Sequence, residues 1–279
     1  MTTAIGIDVG SAAVKVMALV DGRPAAWLEE PTRPAVAEQS RALAGQALDR
    51  MGLSAGAEAV PLCATGYGRN LVPGARTRIS EIMANAAGAA WLADHWAELR
   101  GLFGAPPNPP HLGGGFRTIL DVGGQDNKVI VLDPDGMIRD FFMNDRCAAG
   151  TGRFLQVMAR VLELDLAGLD DLALCAGKPA PITSACTVFA ESEVISLLAE
   201  GVAREEVAAG VFASVAAGVA ALPAAGAWQE PLLFDGGPSR SRALQAALAH
   251  RLGIQPAVAP CGQFTTALGA CLMADAAAG

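Results

Sequence analysis

Ile5-Gly6-Ile7-Asp8-Val9-Gly10, near the start of the chain, returns as Ile119-Leu120-Asp121-Val122-Gly123-Gly124, with Asp121 113 residues after Asp8. The first copy passes through a tight turn into Lys15-Val16-Met17-Ala18-Leu19-Val20, then Asp21-Gly22 and an apolar stretch around Trp27. The second passes into Lys128-Val129-Ile130-Val131-Leu132, a turn at Asp133-Pro134-Asp135-Gly136, and Phe141-Phe142-Met143. Lysine follows aspartate by seven residues in both, Asp8 to Lys15 and Asp121 to Lys128. Short apolar runs broken by Asp-Gly turns read as antiparallel strands. Two matched copies imply an internal duplication, with two similar α/β lobes facing a cleft.

The residue types at the strand ends point to phosphate chemistry. Glycine lets a backbone turn approach phosphate oxygens so that N–H groups point at them. An aspartate ending each first strand is placed to hold Mg²⁺ through water, because Mg²⁺ keeps much of its hydration. Asp8 and Asp121 are therefore the candidate metal-positioning residues, and Gly10, Ser11, Gly123, Gly124 and Gln125 the candidate phosphate cradle. Gln125 or Asp126 is placed to orient an attacking water. Lys15 and Lys128 read either as phosphate neutralisers or as exposed hairpin lysines. A further apolar strand, Leu232-Leu233-Phe234-Asp235, ends in Gly236-Gly237 and precedes a helical pattern over 242–252 that Gly253 closes.

Bulk properties narrow the field. The 279 residues are 52% hydrophobic with 32 glycines, and the formal net charge is -8. That balance speaks against a general nucleic-acid binder, which needs a basic face. Met1-Thr2-Thr3-Ala4-Ile5-Gly6 enters a strand pattern with no basic leader region, so a cytoplasmic protein is expected. Val207 to Leu222 is uncharged but short and Ala/Gly-rich; it reads as a buried helix, not a membrane span. Glu81 to Leu102 reads as helix, and the Pro/Gly stretch 104–115 that follows as a surface linker or insertion. The expected division is an N-terminal lobe over 1–103, a linker over 104–116, a C-terminal lobe over 117–264, and a C-terminal helix over 265–279 packing back on the N-terminal lobe.

Of six cysteines, none forms a CxxC pair, and the three histidines form no HExxH. Cys147, in Asn144-Asp145-Arg146-Cys147-Ala148-Ala149-Gly150-Thr151-Gly152-Arg153-Phe154, precedes an amphipathic stripe of Phe154, Leu155, Met158, Val161 and Leu162. Cys186, in Thr183-Ser184-Ala185-Cys186-Thr187-Val188-Phe189-Ala190-Glu191, precedes a helix through Leu198. Two cysteines at helix N-termini read as small buried hydrophobes. The alternative reading is half of a four-thiolate iron–sulfur site completed by a second subunit. Cys63, Cys175, Cys261 and Cys271 lack this setting and are expected to be buried packing residues.

Over nearly its whole length the chain resembles the ATPase components of 2-hydroxyacyl-CoA dehydratases (the activator, or component A) and of ATP-dependent benzoyl-CoA reductases. The residues that carry the resemblance are Gly6-Ile7-Asp8-Val9-Gly10-Ser11, Ala64-Thr65-Gly66-Tyr67-Gly68-Arg69, Asp121-Val122-Gly123-Gly124-Gln125-Asp126, the two cysteine motifs, the latter extended through Ser192-Glu193, and Ala267-Leu268-Gly269-Ala270. The resemblance implies duplicated ribonuclease-H-like lobes of the actin–Hsp70–sugar-kinase superfold, with MgATP between them and Gly236 and Gly237 against the adenosine. It implies one 4Fe–4S cluster per dimer, held by Cys147 and Cys186 of each subunit, the second subunit being a copy or a paralogue. ATP turnover then drives a low-potential electron from ferredoxin or flavodoxin to a partner dehydratase or reductase. Two departures stand out. The family usually has histidine where this chain has Asn85, and its adenosine loop usually continues Gly-Gly-Val-Ala where this chain reads Gly236-Gly237-Pro238-Ser239. A sugar or small-metabolite kinase and a non-catalytic ATP-regulated binding module are the alternative readings of the same cleft.

Overall fold

The structure is a computed structural model; it describes residues 2–53, 60–104, 114–144, 151–184, 186–223 and 227–276. Cys147 and most of the 104–115 stretch lie outside the described residues.

The duplication governs the topology. Strands β1 (Thr3–Val9), β2 (Ala13–Val20), β3 (Arg23–Pro31), β4 (Leu62–Gly66) and β5 (Thr77–Arg78) form one sheet in the order β3-β2-β1-β4-β5. Strands β6 (Thr118–Val122), β7 (Asn127–Leu132), β8 (Ile138–Met143), β9 (Leu232–Asp235) and β10 (Ala257–Val258) form a second in the order β10-β9-β6-β7-β8. These are the same order with corresponding strands exchanged. In both sheets the first strand pairs antiparallel with the second and parallel with the fourth.

Among the described residues eight α-helices cover these sheets: α1 (Val36–Arg50), α2 (Glu81–Phe103), α3 (Gly152–Val161), α4 (Leu166–Leu174), α5 (Thr187–Ala199), α6 (Arg204–Ala220), α7 (Arg242–Leu252) and α8 (Thr265–Ala276). Strand alternation assigns each face its partner. Ile5, Ile7 and Val9 join Leu43, Ala47 and Leu48 of α1 in one core. The opposite face of the first sheet, with Ala4, Met17 and Leu19, meets α2 and α8. That core continues into Ile119, Ile130 and Leu233 of the second sheet, so α2 and α8 lie between the sheets. Beyond the second sheet, Leu120, Val122 and Val129 pack under α3 to α7. The uncharged stretch around Val207 is the buried helix α6, and no helix among the described residues is long and apolar enough to cross a membrane. Cys175 departs from its expected burial: it ends the short helix α4 and is exposed, its Sγ 3.4 Å from the Asp171 carbonyl.

The helix pair between the sheets packs backbone to backbone. A Cβ on Gly269 of α8 would fall 1.7 Å from the Ala84 carbonyl oxygen of α2, and one on Gly6 of β1 would fall 2.1 Å from the Ala267 carbonyl oxygen. Gly269→Ala must force these layers apart, and overpacking of this kind costs about 1–3 kcal/mol. Urea unfolding of Gly269→Ala is expected to show a lowered midpoint with an unchanged slope.

Candidate active site

The carboxyl ends of β1 and β6 and the turns after them converge on a cleft of about 900 Å³. Its lining contains all twelve residues expected from the two phosphate motifs and the Gly-Gly turn: Asp8, Gly10, Ser11, Lys15, Asp121, Gly123, Gly124, Gln125, Asp126, Lys128, Gly236 and Gly237. In each lobe the hairpin register sets aspartate opposite lysine, Asp8 with Lys15 and Asp121 with Lys128. The Lys15 ammonium donates to Asp8 Oδ2 at 3.2 Å, and that of Lys128 to Asp121 Oδ2 at 3.4 Å. The exposed-hairpin reading of the lysines is thereby corrected: the Lys128 side chain is 3% exposed and that of Lys15 is 19% exposed. Both are drawn inward because the strands they leave end in the acidic cleft.

Lys128 serves more carboxylates than its own hairpin supplies. It lies 3.0 Å from Asp126 Oδ2 and 3.7 Å from Glu81 Oε2 at the start of α2. Burial alone would depress its pKa, but Asp121, Glu81 and Asp126 outweigh that and hold it well above the ordinary lysine range. Lys15 is likewise raised, burial being outweighed by Asp8 and Asp121. The Glu81 carboxyl is pushed up to about 7 by burial, against the attraction of Lys128, with Asp8, Asp126 and Asp121 adding repulsion.

Several cleft residues carried no role in the sequence reading. Tyr67 Oη donates to Asp126 Oδ2 at 2.9 Å, joining the two lobes across the cleft. It is the single tyrosine of the chain, lies between two glycines, and belongs to the Ala64–Arg69 stretch that carries the resemblance. Gln263 Nε2 donates to Glu29 Oε2 at 2.6 Å, a second bridge between lobes. Asp235, ending β9, is pushed up to about 8 by burial and by neighbouring Asp121, against the nearby polar groups of Gly236, Thr265 and Asn85. Ser80 caps α2 by accepting from Met83 N–H, which aims Glu81 into the cleft rather than leaving it on the helix flank.

The second phosphate turn is also tied to the cysteine region. Gly123 and Gly124 carbonyls accept the N–H groups of Gly152 and Arg153, the first residues of α3, at 2.9 and 3.0 Å. Helix α3 follows the segment bearing Cys147 and packs against α5. Cys186 is the N-cap residue of α5 and is exposed. Beside it, Val188 and Phe189 are each 68% exposed. Among the described residues no group of three His, Cys, Asp or Glu side chains is arranged to hold a metal ion by itself.

Two duplicated sheets with helices between them and a polar interlobe cleft define a protein of the actin–Hsp70–sugar-kinase superfold. The chain belongs to the BadF/BadG/BcrA/BcrD ATPase family, whose model matches residues 109–274. It is 41% identical to the activator of lactoyl-CoA dehydratase of Anaerotignum propionicum, over 98% of each chain. It is 37% identical to the (R)-2-hydroxyglutaryl-CoA dehydratase activating ATPase of Acidaminococcus fermentans, over 97% of this chain and 96% of that one. It superposes with a TM-score of 0.85 at 35% identity on the activator of the 2-hydroxyisocaproyl-CoA dehydratase from Clostridium difficile with bound ADPNP, covering 99% of this chain and 96% of that one.

Removing the Lys128 ammonium leaves Asp121, Asp126 and Glu81 facing one another without their shared cation. Breaking a buried pair this way costs about 3 kcal/mol, so Lys128→Met is expected to unfold at clearly lower temperature than the parent in calorimetry. The thiols separate as sharply. Burial pushes Cys63 up to about 11, and burial together with Asp235 pushes Cys261 up to about 12. At pH 8 site-resolved mass spectrometry of the native, metal-free protein is expected to find iodoacetamide on Cys175 and Cys186, with Cys63 and Cys261 labelled only after unfolding.

Proposed function

We propose that this chain is the ATP-hydrolysing, electron-delivering subunit of a two-component system. It takes a low-potential electron from ferredoxin or flavodoxin and passes it to a partner that dehydrates or reduces a CoA thioester, as 2-hydroxyacyl-CoA dehydratases and benzoyl-CoA reductases do. The observation that carries this reading is the hydrogen bonding of α3 to the Gly123–Gly124 turn. Through it the phosphate turn and the start of the Cys147-side helix move as one body, and α3 leans on the helix that Cys186 opens.

The chemistry of the site fits the groups this activity requires. Asp8 Oδ1 is buried with no hydrogen-bond partner, and the neighbouring donors are carboxylate and hydroxyl oxygens, the hard ligands Mg²⁺ prefers. Asp8 and Asp121 would hold the hydrated ion, and Gly10, Ser11, Gly123, Gly124 and Gln125 the phosphates, with Gly236 and Gly237 against the adenosine. Lys15 and Lys128 neutralise phosphate charge, and Gln125 or Asp126 orients the attacking water.

Cys186 fits a cluster ligand: its thiol is exposed, free of a disulfide, and at a helix N-terminus whose N–H groups favour an anion. Cys147 and Cys186 of one copy, with the same two from a second copy or a paralogue, would hold one 4Fe–4S cluster. When bound, such a cluster takes up and releases one electron at low potential. Val188, Phe189 and Ile195, exposed on α5, supply the apolar surface that a second subunit would cover. Nucleotide drives the change only through a difference in affinity between open and closed lobes. Tyr67–Asp126, Glu81–Lys128 and Glu29–Gln263 span the lobes, and they are the contacts that closing and opening must remake.

Anaerobic reconstitution with iron and sulfide tests this directly. The parent protein is expected to hold about four irons per two chains. Cys147→Ser and Cys186→Ser are each expected to lose the iron while keeping ATP hydrolysis within a few-fold. Iron-free parent protein, or a Cys186→Ser variant that keeps its cluster, would remove the electron-transfer half of the proposal.

A further inference from the structure

The two lobes repeat each other as far as the ends of their fourth strands. β4 ends in Thr65-Gly66, with Thr65 in register with Asp8, and β9 ends in Asp235 followed by Gly236, with Asp235 in register with Asp121. Gly66 and Gly236 have φ of 89° and 87°. In each, a Cβ would fall 2.7 Å from Oδ1 of the aspartate on the neighbouring strand. The match breaks at the residue before each glycine: neutral Thr65 in the first lobe, acidic Asp235 in the second.

Asp235 is 1% exposed. Its Oδ2 accepts from Asn85 Nδ2 at 2.8 Å, and the same amide reaches Thr266 Oγ1 at 3.2 Å, so α2 and α8 fix the carboxylate from behind. Its Oδ1 is buried with no hydrogen-bond partner. A desolvated carboxylate set beside Asp121, with one oxygen unsatisfied, is destabilising in the metal-free cleft. A purely structural tie at this place does not need a charge, since the first lobe closes the same turn with threonine. A divalent cation before Asp121 reverses the balance, because both negative charges then attract it.

We infer that Asp235 is a positioning residue for the divalent cation of the bound nucleotide: acting through Asp121, it adds a second negative charge behind the metal-facing carboxylate and makes the cleft select nucleotide–metal over bare nucleotide. The inference rests on the reading of the cleft as a metal–nucleotide site. Residues behind metal ligands of this kind change metal affinity by about 10–100-fold when replaced.

The test measures Mn²⁺ binding to the protein–ADP complex by electron paramagnetic resonance, and ADP binding in EDTA by calorimetry. Asp235→Asn is expected to weaken Mn²⁺ binding at least about tenfold. Its affinity for metal-free ADP is expected to hold or rise, since the substitution removes nothing that holds phosphate. Asp235→Thr, which copies the first lobe, should behave alike and guards against a misfolded asparagine variant, circular dichroism confirming the fold of both. Parent-like Mn²⁺ affinity in both variants overturns the inference, as does an equal loss of ADP with and without metal, the mark of a merely structural residue. A parent protein that binds no ADP under either condition overturns the cleft reading itself, and this inference with it.

Discussion

Lys128 is the centre of the molecule's charge balance. Asp121 and Asp126 come from a strand end and the turn after it, Glu81 from a helix start in the other lobe, and one buried ammonium lies within 4 Å of all three. Like charges held this closely repel strongly at the low effective dielectric of a cleft. The lobes can therefore approach only while that ammonium, or a cation taking its place, stands between them. Glu81 belongs to the helix packed between the sheets, so the charge balance of the site and the spacing of the lobes are one problem.

The mechanical counterpart is the layer of α2 and α8. Small residues let these helices touch through their backbones, which leaves little room for independent adjustment. Under the proposed function, movement in the cleft would displace these helices as rigid bodies, and α3, hydrogen-bonded to the second phosphate turn, would carry the displacement toward the cysteines.

Much of this was legible because the chain is written twice. The paired Asp-to-Lys spacing located β1, β2, β6 and β7 and ten of the twelve cleft residues, the Gly-Gly turn after β9 supplied the other two, and Gly253, at φ 67°, ended α7 where the pattern required. The parallel partners were harder to see. β4 is five residues long and β5 two, and each is defined by pairing with strands distant in sequence rather than by its own periodicity. The burial of Lys128 was equally hidden, because its partner Glu81 lies outside the Asp-to-Lys repeat and Asp126 is matched in the first copy by Ala13. Cys175 misled for the opposite reason: cysteines are usually buried, but this one ends a short helix at the surface. Asp235 stood in plain view in Leu232-Leu233-Phe234-Asp235, yet only the register with Asp121 gives it meaning.

The central claim is that nucleotide-driven lobes act on thiolates contributed by two subunits. Native mass spectrometry of the anaerobically loaded protein addresses it most directly. The account predicts a species of two chains carrying one cluster, falling to single chains when the cluster is stripped by oxygen and chelator. A cluster carried by a single chain, or chains that pair with no inorganic mass between them under every loading condition, would contradict it.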